Sequence, residues 1–384
     1  VGGGIMAGSR LLTGSGYRLK VPAIDLAEVG AGGGSIVWLD PAGALQVGPK
    51  SAGATPGPVC YGKGGTEPTM TDACAILGYL NPNHLVGGDL PLNTELSKKV
   101  FANKIAGPLG LELEQAAYGA YEIASANMIR AIKSVSSERG RDPRDYVLFA
   151  FGGNGPLFAG AMAAILHMRR ILVPPAPGVF SAFGLLCAEV EHHYSQTLRR
   201  VLQSADPAEL ESGWNLLEEQ ADHQLSVDGF PPAQRRLIRS ANMHYQGQIY
   251  ELSVPVPEGP IDQAALQVLQ DAFGDEHERT YGHRAGPDEP VELVNLELVG
   301  QGLSTVSRVP EGLHAEQNTK QQGTPRQAYF GREHAWLDAP VIAREALSKP
   351  HSGPCIIEEY DATCLVPPGG EASLDDYGNI VIEL

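Results

Sequence analysis

Cysteine is scarce in this chain. The five in 384 residues stand apart, at Cys60, Cys74, Cys187, Cys355 and Cys364, with no C-x-x-C pair among them. That spacing argues against a zinc ribbon and against a disulfide framework, and a reducing cytoplasm is the simplest compartment. Long apolar runs are missing as well. None approaches the ~20 residues of a membrane-spanning helix, and no secretory signal peptide is expected. Basic residues are in deficit, 28 Lys and Arg against 45 Asp and Glu. The resulting net charge of −17 argues against nucleic acid or an anionic membrane as the main partner. The first residue is Val, not Met, and the chain opens in a glycine-rich stretch, so a piece of something longer is expected.

What is present is the composition of a folded soluble protein, 43% hydrophobic and 19% charged. The length points to two or three domains. The 46 glycines cluster in turns without a period, so low complexity does not explain them. Composition shifts near residue 205, and a polar run begins at Ser304, so the chain is divided into segments 1–200, 201–310 and 311–384.

The most informative stretch is Y-V-L-F-A-F-G-G-N-G, residues 146–155. Its first six residues are apolar and β-prone, which predicts a strand buried on both faces. Gly152 and Gly153 then remove side chains at the strand's carboxyl end, and Pro156 stands where the first turn of a helix tolerates it. A helix over 157–168 and a strand over 170–173 would complete a βαβ unit. Its turn lies where open α/β sheets bind ligands. G-G-x-G alone serves a tight turn as well as a nucleotide contact.

Upstream, short strands are expected over 23–29, 35–39 and 44–47. Between the first two lies G-A-G-G-G-S, residues 30–35, a hairpin tip or a loop whose N–H groups converge on an anion. Residues 51–68 form a long loop with few charges, and loops of that length are usually functional or packed. A helix over 69–80 would take Thr69 as its N-cap and Asp72 in its first turn. The longest helix, over 113–139, carries an apolar stripe from Leu113 through Ala117, Ala120, Ala124, Met128 and Ala131 to Val135, and Gly140 ends it.

Downstream, His192 and His193 are adjacent with acidic neighbours, but no third ligand stands at metal-site spacing, so no metal site is expected. Residues 201–310 read as α+β, with helices over 209–227 and 262–281 and strands over 236–244, 248–256 and 291–299. A polar linker over 304–326 precedes an all-β module, a small barrel or sandwich.

Several strings then converge: V-G-A-G-G-G-S-I at 29–36, S-A-G-A-T-P-G-P-V-C-Y-G-K-G-G-T-E-P-T-M-T-D-A at 51–73, S-S-E-R-G-R-D-P-R-D at 136–145, A-F-G-G-N-G-P at 150–156, P-G-V-F-S-A-F-G-L-L at 177–186 and G-P-C-I-I-E-E-Y-D-A-T at 353–363. In this order they resemble the hydantoinase A / 5-oxoprolinase family over essentially the whole chain, from about the family's middle to its C-terminus. The resemblance implies an α/β fold, the second half of an actin-like ATPase of the sugar kinase, Hsp70 and actin superfamily, followed by the α+β segment and the C-terminal β module.

It also implies ATP and Mg²⁺ as cofactors, and ring-opening hydrolysis of a cyclic amide through phosphorylation of its carbonyl oxygen. A hydantoinase B-like subunit or fused domain is the implied partner, and an oligomer is expected. Related carboxylases act on acetone or acetophenone, and a non-catalytic scaffold is the third reading. No D-x-G-G-T phosphate motif occurs in the chain, so the Mg²⁺ ligands are expected upstream of it. By the resemblance, Gly152, Gly153 and Asn154 lie on the adenosine or ribose side of the nucleotide. Gly32, Gly33, Gly34 and Ser35 lie on the phosphate side or between domains. Glu67, Thr71 and Asp72 are the candidates for polar work near the cleft, though a place in a helix's first turn is by itself sufficient reason for Asp72.

Overall fold

The computed structural model describes residues 6–11, 18–23, 26–83, 85, 89–286, 289–304 and 324–384, the first two stretches as backbone only. In chain order the elements are β1 (Met6–Leu11), β2 (Arg18–Ala23), β3 (Ser35–Leu39), β4 (Leu45–Ser51), α1 (Met70–Ile76), α2 (Thr94–Phe101), α3 (Leu113–Val135), β5 (Leu148–Phe149), α4 (Gly155–Leu166), β6 (Arg170–Val173) and α5 (Phe180–Cys187). There follow β7 (Val190–Val201), α6 (Pro207–Val227), β8 (Arg235–Tyr245), β9 (Leu252–Pro255), α7 (Gln263–Tyr281) and β10 (Val291–Gly302). The last are β11 (Arg326–Tyr329), α8 (Gly331–His334), β12 (Trp336–Ala339), β13 (Val341–Ile342), β14 (His351–Ser352), β15 (Cys355–Glu358), β16 (Thr363–Val366), β17 (Glu371–Leu374) and β18 (Ile380–Glu383).

The chain forms two compact units. One comprises Val1–Leu26, Val135–Arg141 and Cys187–Arg308. Its centre is an antiparallel sheet in the order β7-β10-β8-β9, built from alternating strands that turn one apolar face inward. Ala241, Met243, Leu293, Leu296 and Leu298 bury that face together with Trp214 and Leu217 of α6 and Leu269 and Phe273 of α7. The helices and strands expected over 209–299 are present within a few residues of their expected bounds, and Asp262 caps α7 by accepting from the Ala265 N–H.

The other unit comprises Ala27–Ser134, Asp142–Leu186 and Val309–Leu384. The expected βαβ unit is here: β5 and β6 are parallel neighbours joined by α4. The C-terminal strands do not stand apart as a barrel or sandwich of their own. β18 pairs with β6, giving a five-stranded sheet in the order β14-β17-β18-β6-β5, and β15 and β16 bury their side chains in the same core as α3 and α4. Sequence periodicity marks strands but not their neighbours, so this union was not legible.

Three expectations need correction. The strand expected over 146–151 is two residues long and is not buried on both faces. Among the described residues it is an edge strand paired only with β6, and Phe149 and Phe151 are exposed, in ring contact with Phe180 of α5. The helix expected to Arg139 stops at Val135, and a 3-10 turn over Ser137–Arg139 carries the chain to Gly140, whose φ of 68° ends it. The all-β tail includes the short helix α8. The strand expected over 23–29 falls partly outside the described residues, with 26–29 irregular, and most of the linker over 304–326 lies outside them. No described helix is long and apolar enough to cross a membrane.

Candidate functional site

Three loops of the second unit meet at one cavity. The first is the glycine loop before β3. Ser35 Oγ accepts from the Gly32 N–H at 2.9 Å and donates to the Gly30 carbonyl at 3.2 Å, closing the loop on itself. The Gly33 carbonyl then accepts from both the backbone N–H and the hydroxyl of Thr71, each at 2.9 Å. A Cβ on Gly33 would lie 2.5 Å from Asn154 Nδ2 and 2.8 Å from Thr71 Oγ1. A side chain at 33 would therefore displace Asn154 or Thr71, and the loop lies close against the second glycine segment.

That second segment is the turn from β5 into α4. Gly152 takes φ of +84°, a conformation L side chains avoid, and its N–H donates to the Pro177 carbonyl at 2.7 Å. Asn154 occupies the N-cap position of α4, yet its side chain makes no capping bond. It reaches the cavity wall instead.

The third loop, between β15 and β16, carries E-E-Y-D-A-T over 358–363. Its turn closes by the Glu359 N–H donating to the Ala362 carbonyl at 3.0 Å. Glu358 pairs with Arg326 at 2.5 Å, and Glu359 forms a buried two-pronged pair with Arg344. Asp361 Oδ2 accepts from the Gly178 N–H at 2.8 Å, while Oδ1 is buried with no hydrogen-bond partner.

The cavity between these loops holds about 430 Å³, within the range of small-molecule sites. Gly33, Gly34, Thr71, Gly153, Asn154 and Asp361 line it, and among the described residues no Lys or Arg does. Sequence reasoning assigned the 358–363 loop no role at the site. Its signal was available in three acidic residues within four positions, directly after an apolar strand.

The other sequence candidates fall elsewhere. Gly32 and Ser35 shape the loop without lining the cavity. Glu67 is half-exposed and pairs with Lys104 at 2.6 Å, off the cavity wall. Asp72 is fully buried: Oδ2 accepts from the N–H groups of Val59 and Thr69 and the Thr69 hydroxyl, and Oδ1 from the Cys60 N–H and the Ser97 hydroxyl. Thr69 is the N-cap of α1 as expected, and Asp72 in the first turn completes a capping box with it, which was not expected. Burial and the Asp72 carboxylate together push the Cys60 thiol up, the opposite of an activated nucleophile.

Among the described residues no group of three His, Cys, Asp or Glu is arranged to hold a metal ion. His192 and His193 lie on β7, the first 2.5 Å from Asp228 and the second 3.4 Å from Glu191.

Family models for hydantoinase/oxoprolinase and for the hydantoinase/oxoprolinase C-terminal domain match residues 5–194 and 199–382. The chain belongs to the hydantoinase/oxoprolinase family. It is 37% identical to the caprolactamase subunit alpha of Pseudomonas jessenii over 94% of this chain and 52% of that protein. The crystal structure of the ATP-dependent caprolactamase from the same organism superposes with a TM-score of 0.86 at 36% identity, over 96% of this chain and 54% of that one. The nucleotide-free structure of an acetone carboxylase superposes at 0.68 and 28% identity, over 95% and 53%. The chain thus shares their mixed α/β fold and spans about half the length of these relatives.

Proposed function

We propose that this chain is the C-terminal part of an ATP-dependent cyclic amidohydrolase and that the three-loop cavity is the adenosine end of its nucleotide site. The observation that carries the proposal is the meeting of two glycine segments, through Gly33-Gly34 and Gly153-Asn154, on one cavity of ligand size, with Gly152 shaping the turn behind the wall. Glycine at 33, 34 and 153 brings backbone directly to the wall, so a flat base or a sugar can approach closely. The likeness to an ATP-dependent caprolactamase, in sequence and in fold, supports the same reading.

An unstrained lactam is a poor electrophile because nitrogen donates its lone pair into the carbonyl. Transfer of the γ-phosphoryl group of ATP to the carbonyl oxygen converts that oxygen into a leaving group. Water then attacks the activated carbon and the C–N bond opens, giving ADP, phosphate and an amino acid. In this scheme Asn154 and Thr71 orient the nucleotide by hydrogen bonds, Gly152 and Gly153 hold its adenosine side, and the loop of Gly32, Gly33, Gly34 and Ser35 fixes the opposite wall. With an acidic lining on this cavity, the triphosphate extends to cationic or N–H-rich groups outside it. A partner subunit completes the hydrolytic half, in keeping with a relative named as a subunit.

The test is substrate-dependent ADP release by the protein with its partner subunit. Caprolactam, 5-oxoproline or hydantoin should stimulate turnover, and acetone or acetophenone with bicarbonate should not. Stimulation by the ketone alone would move the chain to the carboxylases, and release of ADP by neither would leave a scaffold.

A further inference from the structure

We propose that Asp361 is the residue by which this site recognises the ribose hydroxyls of its nucleotide. The proposal rests on the nucleotide reading above and deepens it. Of the three carboxylates on the cavity wall, Glu358 and Glu359 are occupied by Arg326 and Arg344. Among the described residues Asp361 has no cationic ion-pair partner. One of its oxygens is held by the Gly178 N–H, and the other is buried with no hydrogen-bond partner.

A buried acceptor without a donor is a costly arrangement, and a ligand hydroxyl or N–H would satisfy it. The position of the loop is fixed on two sides. A Cβ on Gly178 would meet the Asp361 carbonyl and carboxylate at 2.8 Å, so glycine at 178 is what lets the two segments touch. On the other side the Asp361 carbonyl lies 3.7 Å from where a Cβ of Gly153 would stand, directly against the turn assigned to adenosine.

The donor is identified by charge and by place. Among the described residues no Lys or Arg stands on the wall, so a phosphate would meet the Asp361 carboxylate with nothing to offset it, and the phosphates do not sit here. The sugar is the part of a nucleotide next to the adenosine turn that carries neutral O–H donors. A carboxylate oxygen accepts from such hydroxyls in short, charge-assisted hydrogen bonds.

The experiment is isothermal titration of the complete protein with ATP, 2′-deoxyATP and 3′-deoxyATP, repeated with Asp361→Asn. The asparagine oxygen can keep the Gly178 hydrogen bond while its amide replaces the free acceptor by a donor. Wild type should bind at least one deoxy analogue about tenfold more weakly than ATP, the scale of one hydrogen bond to a charged group. In Asp361→Asn the discrimination should shrink to about twofold, a change that a merely structural role would not produce. Equal binding of all three nucleotides by wild type would overturn the inference while leaving ATP binding intact, and needs no variant. Unchanged discrimination in a folded Asp361→Asn would overturn it too. Failure of ATP itself to bind would instead remove the nucleotide reading, and the inference with it.

Discussion

Arg344 and Glu359 form a two-pronged ion pair inside the core, Nε to Oε1 at 2.6 Å and Nη2 to Oε2 at 2.7 Å, with the Glu359 side chain fully buried. The same guanidinium donates to the carbonyls of Val173, Pro174 and Gly378. It thereby ties the end of β6 to the turn before β18 and to the 358–363 loop that walls the cavity. Removing one partner of such a pair leaves an uncompensated buried charge, at a cost of ~3–5 kcal/mol. Arg344→Leu should lower the unfolding free energy of this unit by about that amount in urea titration. Arg344→Lys should also destabilise, because an ammonium cannot reproduce the planar fork.

Gly153→Val separates ligand binding from folding. No atom lies closer than 3.7 Å to a Cβ at 153, and its φ is not in the left-handed region, so the fold tolerates the side chain. The valine then occupies the cavity. Nucleotide affinity in the complete protein should fall at least about tenfold, a loss of ~1.4 kcal/mol, with the melting temperature little changed. Gly33→Ala should behave differently, since its methyl would meet Asn154 and Thr71 and spread the loops apart.

Asp72 offers the converse. Five donors converge on its carboxylate, and Asp72→Ala strips them of their acceptor in a fully buried place. A loss of ~3 kcal/mol or more is expected from unsatisfied buried donors. The variant that remains folded at low temperature should keep wild-type affinity for nucleotide, measured by titration. A selective loss of affinity or turnover without loss of stability would return Asp72 to the list of catalytic residues.

How much was legible follows from the range of the interactions involved. The Thr69 cap with Asp72 in the first turn of α1, and the glycine turn leading into α4, rest on neighbours in sequence, and both are present. The approach of Gly33 to Asn154 and the burial of Glu359 against Arg344 depend on which strands become neighbours, and no periodicity carries that. Residues 146–151 show the limit from the other side. Their apolar run predicts a buried strand, but an apolar run gives hydrophobicity and not position in the sheet, and β5 lies at an edge.

The thiols give a prediction for pH. Burial pushes Cys355 up to about 11 from an ordinary value of 9.0, and pushes Cys60, Cys74 and Cys364 up further still. Below about pH 9 folded and unfolded chains both hold these protons, so the contribution to stability is fully present. Above it the unfolded chain releases them and the native chain does not, so stability should fall as pH rises from 9 toward 11. Tyr79 and Tyr121, buried and likewise raised, act with the same sign at higher pH. Thermal unfolding across pH 7–11 checks the slope. Titration with a thiol reagent at pH 8 should label Cys187, the partly accessible one, well before the four buried cysteines.

The central claim is that the cavity between Gly33, Gly153 and Asp361 holds the adenosine end of ATP. A crystal structure of the full protein with a non-hydrolysable ATP analogue tests it most directly. The account predicts base and sugar in this cavity, a ribose hydroxyl within hydrogen-bond distance of Asp361, and the phosphates extending out of it. Nucleotide bound at another place, with this cavity filled by water, would contradict it.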